Sequence, residues 1–266
     1  MAILTISRQH GSSGRQIGQE IAQEIGYQYI DREQILTDIR AKAQDWEKWE
    51  KEFEEHNPTI WERYDWSFKG FVALQQSFIF DYALKDNVVI MGRGANFLLK
   101  DIPHALKVRF EAPLEKRIEI VQNRENVDSA TAAWMIKKLD KESKGFIETV
   151  YGADWNIHTH YDVVFNTTVQ SAEVVMAFLK ASLAEKDRLK TEESIKALKM
   201  KAAAFHVKAG ILTNSKFFIP TLDVFPSNDT IVIRGVIHNP KEHASIEEEA
   251  RRLAGDVPLK CELHYR

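Results

Sequence analysis

Apolar and polar positions along the chain fall into blocks that predict short strands and longer helices in turn. Ile3-Leu4-Thr5-Ile6 reads as a strand, and the polar, Gly-containing residues 8–15 follow it. Ile17, Ile21, Ala22 and Ile25 then share one helical face that Gly26 closes. Tyr27-Gln28-Tyr29-Ile30 reads as a second strand ending at Asp31. Residues 33–84 are helical in pattern, broken at Asn57-Pro58, with a second helix over 68–84. Trp46, Trp49 and Phe53 share a face there, which fits core packing or a dimer contact. Val88-Val89-Ile90-Met91 is the continuous apolar run of a strand buried on both faces, ending in Gly92-Arg93-Gly94. Leu106-Lys107-Val108-Arg109-Phe110 and Tyr161-Asp162-Val163-Val164-Phe165 read as two more strands. Helices are expected over 114–124, from 128 to about 151, and after a Ser171 cap through 179. Five strands separated by helices imply an α/β domain: a five-stranded parallel sheet with helices on both faces.

The pattern changes beyond residue 180. Residues 180–201 are rich in Lys, Glu and Ala, which suits an exposed connecting helix. Residues 202–211 are helical, and residues 230–237 read as a strand whose Gly235 marks a turn or bulge. A Ser-x-x-Glu capping box opens a helix over 245–253, and residues 259–265 alternate as a final strand. The expected division is residues 1–183 as the parallel-sheet domain, 184–200 as a helical linker, and 201–266 as a small α+β (α-β-β-α-β) domain.

The chain's 266 residues carry a formal net charge of −3, which argues against charge-driven nucleic-acid binding. Its single cysteine, Cys261, precludes an internal disulfide and disfavours a Cys-based zinc site. No apolar run approaches transmembrane length, and no signal peptide opens the sequence, so a cytoplasmic protein without stable membrane insertion is expected. His158 and His160 alternate, but no acid or Cys stands at metal-ligand spacing from them.

The chemistry concentrates in Gly11-Ser12-Ser13-Gly14-Arg15-Gln16. A tight turn from a buried strand into a helix leaves main-chain N–H groups unpaired at the positive end of the helix dipole. A phosphate satisfies both demands, and glycines let it approach the backbone. Arg15 adds a bidentate, charge-assisted donor. Against the P-loop pattern G-x-x-x-x-G-K-[ST], Gln9 replaces the first Gly, Arg15 the Lys, and Gln16 the hydroxyl residue. The missing hydroxyl removes the loop's direct magnesium ligand.

Residues 6–17 around that turn, Tyr29-Ile30-Asp31-Arg32 and Ile90-Met91-Gly92-Arg93-Gly94-Ala95-Asn96-Phe97-Leu98-Leu99 together resemble the cytidylate kinase-like family. Lys137-Lys138-Leu139-Asp140-Lys141-Glu142 and Tyr151-Gly152-Ala153-Asp154-Trp155, leading to residues 161–167, extend the resemblance over roughly residues 1–180. It implies a P-loop kinase-like fold and transfer of the γ-phosphoryl group of ATP, with Mg2+, to a nucleoside monophosphate such as CMP or dCMP. Residues 11–16 would cradle the donor phosphates, and Asp31, Arg32 and Arg93 would face the acceptor. Arg117, Arg124, Lys137, Lys141 and Lys144 stand where such kinases close a basic flap. Among these, Arg15, Arg124 and Lys141 are the candidates for catalytic contact, and Arg117, Lys137 and Lys144 for the lid. No direct protein ligand to a metal is expected. The competing roles are a helix cap for Asp31, a salt bridge for Arg93, and a solvated helix face for the lysines.

Residues 231–237 and the charged helix after them resemble a BON domain, which implies a ligand or lipid contact by the C-terminal domain. A solubilising or dimerising appendage is the competing reading, and a homodimer stays open. Two further functional readings stand beside the kinase. One is a nucleotide-binding sensor, weak or inactive as a catalyst, that signals through the C-terminal domain. The other is a membrane-surface adaptor acting through the same segment.

Overall fold

Strand β1 (Ile3–Arg8) owes its central place to an almost unbroken run of buried side chains. A computed structural model describes residues 2–42 and 65–265. Trp46, Trp49, Phe53 and the Asn57-Pro58 break lie outside the described residues. β1 leads into α1 (Gly14–Ile25), which ends at Gly26 in left-handed conformation with its N–H on the Ala22 and Gln23 carbonyls. β2 (Gln28–Ile30), α2 (Arg32–Lys42), α3 (Trp66–Leu84) and β3 (Val88–Met91) follow. Next come α4 (Ala95–Leu98), β4 (Ala105–Glu111), α5 (Leu114–Glu125), α6 (Ser129–Tyr151), β5 (Val163–Asn166) and α7 (Ala172–Arg188).

The five strands form one parallel sheet in the order β2-β3-β1-β4-β5. The strand order changes direction at β1, and the carboxyl ends of strands at such a switch point form the usual ligand crevice. Ile17, Ile21 and Ala22 of α1, with Val175, Leu179 and Leu183 of α7, pack on Leu4, Ile6, Met91, Val108 and Phe110. Each of these side chains larger than alanine contributes about 1.5–3 kcal/mol on burial, which anchors α1 against the sheet. On the other side of β1, Ile3, Thr5 and Ser7 are also buried.

The described residues divide into two compact units. The first takes in residues 2–35 and 85–194, hence the whole parallel sheet. The second takes in 36–42, 65–84 and 195–265. It holds α8 (Glu192–Thr213) from residue 195 onward, β6 (Asp223–Ser227), β7 (Thr230–Ile237), α9 (Glu242–Ala254) and β8 (Leu259–Tyr265). β7 pairs antiparallel with β6 and parallel with β8, giving a mixed three-stranded sheet. Ala204, Val207 and Ile211 of α8 and Ile246 and Ala250 of α9 cluster with Ile231, Ile233 and Ile237 of β7.

Several local expectations need correction. Residues 184–200 are not one exposed helix: α7 ends at Arg188, α8 begins at Glu192, and Ser194, Leu198 and Met200 are buried. Ser245 lies inside α9, whose N-cap is Lys241, so no capping box forms there. Gly235 marks neither turn nor bulge, because the β7–β8 register runs unbroken through it. A Cβ at that position would stand 2.8 Å from the Ile219 Cγ2, so close packing explains this glycine. No helix among the described residues is long and apolar enough to cross a membrane.

Candidate active site

The turn between β1 and α1 is held by main-chain and side-chain hydrogen bonds. Gln9 donates its N–H to the Phe110 carbonyl at 2.9 Å and accepts from the Ser12 Oγ at 2.8 Å. Its side-chain Oε1 accepts the Ala112 N–H at 3.1 Å, so the residue that departs from the P-loop glycine staples the loop to the end of β4. His10 donates its N–H to the Asp140 Oδ1 at 2.9 Å. Gly11 (φ +81°) and Ser13 (φ 59°) adopt left-handed conformations, which turn neighbouring amides to one side. A Cβ on Gly11 would also stand 2.9 Å from the Arg117 carbonyl. Gly14 passes so close to the sheet that a Cβ would meet the Arg8 and Phe110 Cβ atoms at 2.9 Å. The Gly11, Ser13, Gly14, Arg15 and Gln16 N–H groups donate to no protein acceptor among the described residues.

Three arginines belong to the turn or bond to it. Arg15 pairs with the Asp31 Oδ2 and Glu33 Oε2, both at 3.0 Å. Asp31 Oδ1 also accepts the Gln34 N–H at 3.2 Å, so the carboxylate caps α2 and holds Arg15 at once. Burial and the Asp31 charge push the Tyr29 hydroxyl up to about 12, although Arg15 and Arg8 pull the other way. Arg117 is buried and donates its Nη1 to the Asp140 Oδ2 at 2.5 Å and the His10 carbonyl at 3.2 Å. Arg124 meets Glu125 at 2.7 Å, and its Nη2 lies 3.1 Å from the His10 Nε2. Burial, then Arg124 and Arg8, lowers the His10 pKa to about 4, so a neutral ring faces that arginine.

The expected site residues are thus only partly gathered. Gly11, Ser12, Ser13, Gly14, Arg15 and Gln16 form one turn, bonded through Arg15 to Asp31 and through His10 to Arg117 and Arg124. Arg32 opens α2 beside Asp31. Arg93 has φ 56°, its carbonyl accepts the Tyr151 hydroxyl at 2.8 Å, and its guanidinium lies 5.7 Å from the Phe146 ring centre. Lys137 and Lys141 are exposed on α6, and Lys144 lies 3.9 Å from the Asp154 carboxylate. Gln16 donates to Glu20 at 2.8 Å.

Two groups escaped the sequence reading. Asp140 lies inside a segment that carried the resemblance, yet its role as the anchor of both His10 and Arg117 depends on contacts over 130 and 23 residues. Arg109 is fully buried, with Nη1 on the Trp155 carbonyl at 2.8 Å, Nε on Glu111 at 2.5 Å, and its guanidinium 4.2 Å from the Trp155 ring. Trp155 Nε1 in turn donates to the Ser7 Oγ at 2.9 Å, and His158 Nε2 meets Glu111 at 3.3 Å. A charged residue inside an apolar strand run was the available signal.

The model of the cytidylate kinase-like family matches residues 3–169, which is most of the chain. The chain belongs to the cytidylate kinase-like family. The match takes in the whole parallel sheet and the turn after β1, and it ends before α7 begins. A cytidylate kinase of Pyrococcus horikoshii is 28% identical over 182 residues, covering 68% of this chain and 88% of that protein. One from Thermococcus sibiricus is 34% identical over 97 residues, covering 36% of this chain and 49% of that protein. A crystal structure of an uncharacterized protein from Eubacterium ventriosum superposes with a TM-score of 0.55 at 22% identity, covering 69% of this chain and 99% of the other. That likeness concerns the fold: a P-loop kinase-like five-stranded sheet.

Proposed function

We propose that this cytidylate kinase-like chain transfers the γ-phosphoryl group of ATP to a nucleoside monophosphate, with CMP or dCMP as the acceptor class. The carrying observation is the set of five main-chain N–H groups from Gly11 to Gln16 that find no protein acceptor among the described residues. They sit at the N-terminus of α1, where the dipole and the free amides favour an anion. Phosphoryl transfer asks mainly for positioning and charge neutralisation, and the turn with Arg15 offers both. In this reading Arg15 exchanges Asp31 and Glu33 for donor phosphate oxygens. Asp31 is then released to orient the acceptor with Arg32 and Arg93. Mg2+ fits only as an ion carried by the phosphates: Gln16 has no hydroxyl, and Asp31 is the carboxylate suited to a magnesium-bound water. Arg124 and Lys141 serve the transferring group, and Arg117, Lys137 and Lys144 the flap. The α-β-β-α-β order of residues 192–265 supports a BON-like, ligand-binding C-terminal module.

A coupled ADP-release assay across CMP, dCMP, UMP and AMP tests the reading. Turnover should favour cytidine nucleotides, and Arg15→Ala should lower kcat/KM by about a hundredfold. Unchanged turnover in that variant removes Arg15 from the donor site. The Lys144–Asp154 and Arg15–Asp31 pairs favour a second reading, a sensor that binds nucleotide without turning it over. ATP binding without ADP release from any acceptor would select the sensor.

A further inference from the structure

Among the described residues the small sheet ends at an edge that no other strand covers. Its order is β6-β7-β8, and among the described residues β8 pairs with β7 alone. Ile231 donates its N–H to the Pro258 carbonyl at 2.8 Å, which turns the even-numbered main-chain groups of this segment toward β7. Leu259, Cys261, Leu263 and Tyr265 therefore direct their N–H and C=O groups away from the sheet. The opposite edge differs. β6 has five residues and includes Pro226, both of which discourage pairing, whereas β8 runs seven residues without a proline.

We propose that two copies of this chain join by antiparallel pairing of β8 with β8, with the two-fold axis at Cys261. The charge pattern selects both the occupant and the register. Centred on Cys261, Lys260 of each copy stands opposite Glu262 of the other, and Leu259 stands opposite Leu263. Because the odd-numbered residues supply the outward hydrogen bonds, Lys260 and Glu262 fall at the closer, non-hydrogen-bonded positions, where cross-strand charges interact best. The neighbouring registers that keep these hydrogen bonds set Lys260 against Lys260 or Glu262 against Glu262. Both charges belong to the sheet's exposed face: Lys260 meets Glu262 at 2.8 Å, and Arg234 meets Glu262 at 2.9 Å. The inner face is matched in the same way. Glu247 and Arg251 of α9 pair at 2.5 Å and act electrostatically on the Cys261 thiol. Two helices related by an axis at Cys261 run antiparallel, so each Glu247 faces an Arg251.

Charge exchange on the full chain tests the pairing. The wild type should sediment as a dimer, and Lys260→Glu or Glu262→Lys alone should weaken that dimer about tenfold, since each sets two like-charge pairs across the axis. An equal mixture of the two variants should dimerise again, because each then presents the charge the other lacks. Recovery on mixing shows that both variants are folded. Copper-phenanthroline should link the wild-type dimer through Cys261, whose Cα atoms would lie about 5.5 Å apart across a hydrogen-bonded pair, within disulfide range. A monomeric wild type overturns the proposal, as does a dimer indifferent to both single variants. A mixture that stays monomeric, or a dimer that Cys261 does not link, also overturns it.

Discussion

Replacing Asp140 with alanine removes one carboxylate that serves two purposes. Its Oδ1 holds the His10 N–H at 2.9 Å, and its Oδ2 holds the Arg117 Nη1 at 2.5 Å. The Arg117 side chain is only 9% exposed, and its Nε already lacks a hydrogen-bond partner, so the variant strands a buried cation on the His10 carbonyl alone. Breaking a fully buried ion pair costs about 3–5 kcal/mol. Asp140 is 21% exposed, which lets water relieve part of that, so a loss of about 2–3 kcal/mol is expected. Urea unfolding followed by circular dichroism measures it. The diagnostic comparison is Asp140→Ala with Arg117→Met, which removes the stranded charge and should regain about 1 kcal/mol or more over Asp140→Ala alone. An Asp140→Ala protein within about 0.5 kcal/mol of wild type would refute the reasoning. So would a double variant less stable than the single one.

Gly14→Ala should cost about 1–3 kcal/mol and abolish ATP binding, because its Cβ would meet the Arg8 and Phe110 Cβ atoms at 2.9 Å and lift the start of α1. Thermal unfolding and calorimetric titration with ATP read the two effects, and wild-type values in both would remove the close-packing argument. His10 makes the fold sensitive to acid. Its pKa is lowered to about 4 from an unfolded value near 6.5, so the folded state disfavours the proton. The associated stability is complete above about pH 6.5 and is lost as pH falls toward 4. His10→Gln should flatten that part of the urea-midpoint profile, and an unaltered profile would contradict the assignment.

The parallel sheet was legible because apolar runs of four or five residues alternate with helical patterns, a period change that survives any tertiary detail. β6 was not legible: Asp223-Val224-Phe225-Pro226-Ser227 has no sustained alternation, and its proline is tolerated only because the strand lies at an edge. α9 starts earlier than the sequence predicts, because Ser245 and Glu248 make a capping-box spacing that a helix already begun at Glu242 has no use for. At the candidate site, the Gly11–Gln16 turn announced itself through local conformational demands. Its supports did not, because Gln9 meets Ala112 and His10 meets Asp140 across more than a hundred residues. Gln9 reads in the sequence only as a departure from the P-loop glycine, and the Gln9–Ala112 hydrogen bond shows the staple it provides.

Amide proton–nitrogen correlation spectra recorded during ATP addition probe the turn itself. The account expects the Gly11, Ser13, Gly14, Arg15 and Gln16 signals to move downfield together and to saturate, as main-chain donors do when they take up phosphate oxygens. ATP that binds while these amides keep their positions, with the changes gathered elsewhere in the chain, would contradict it.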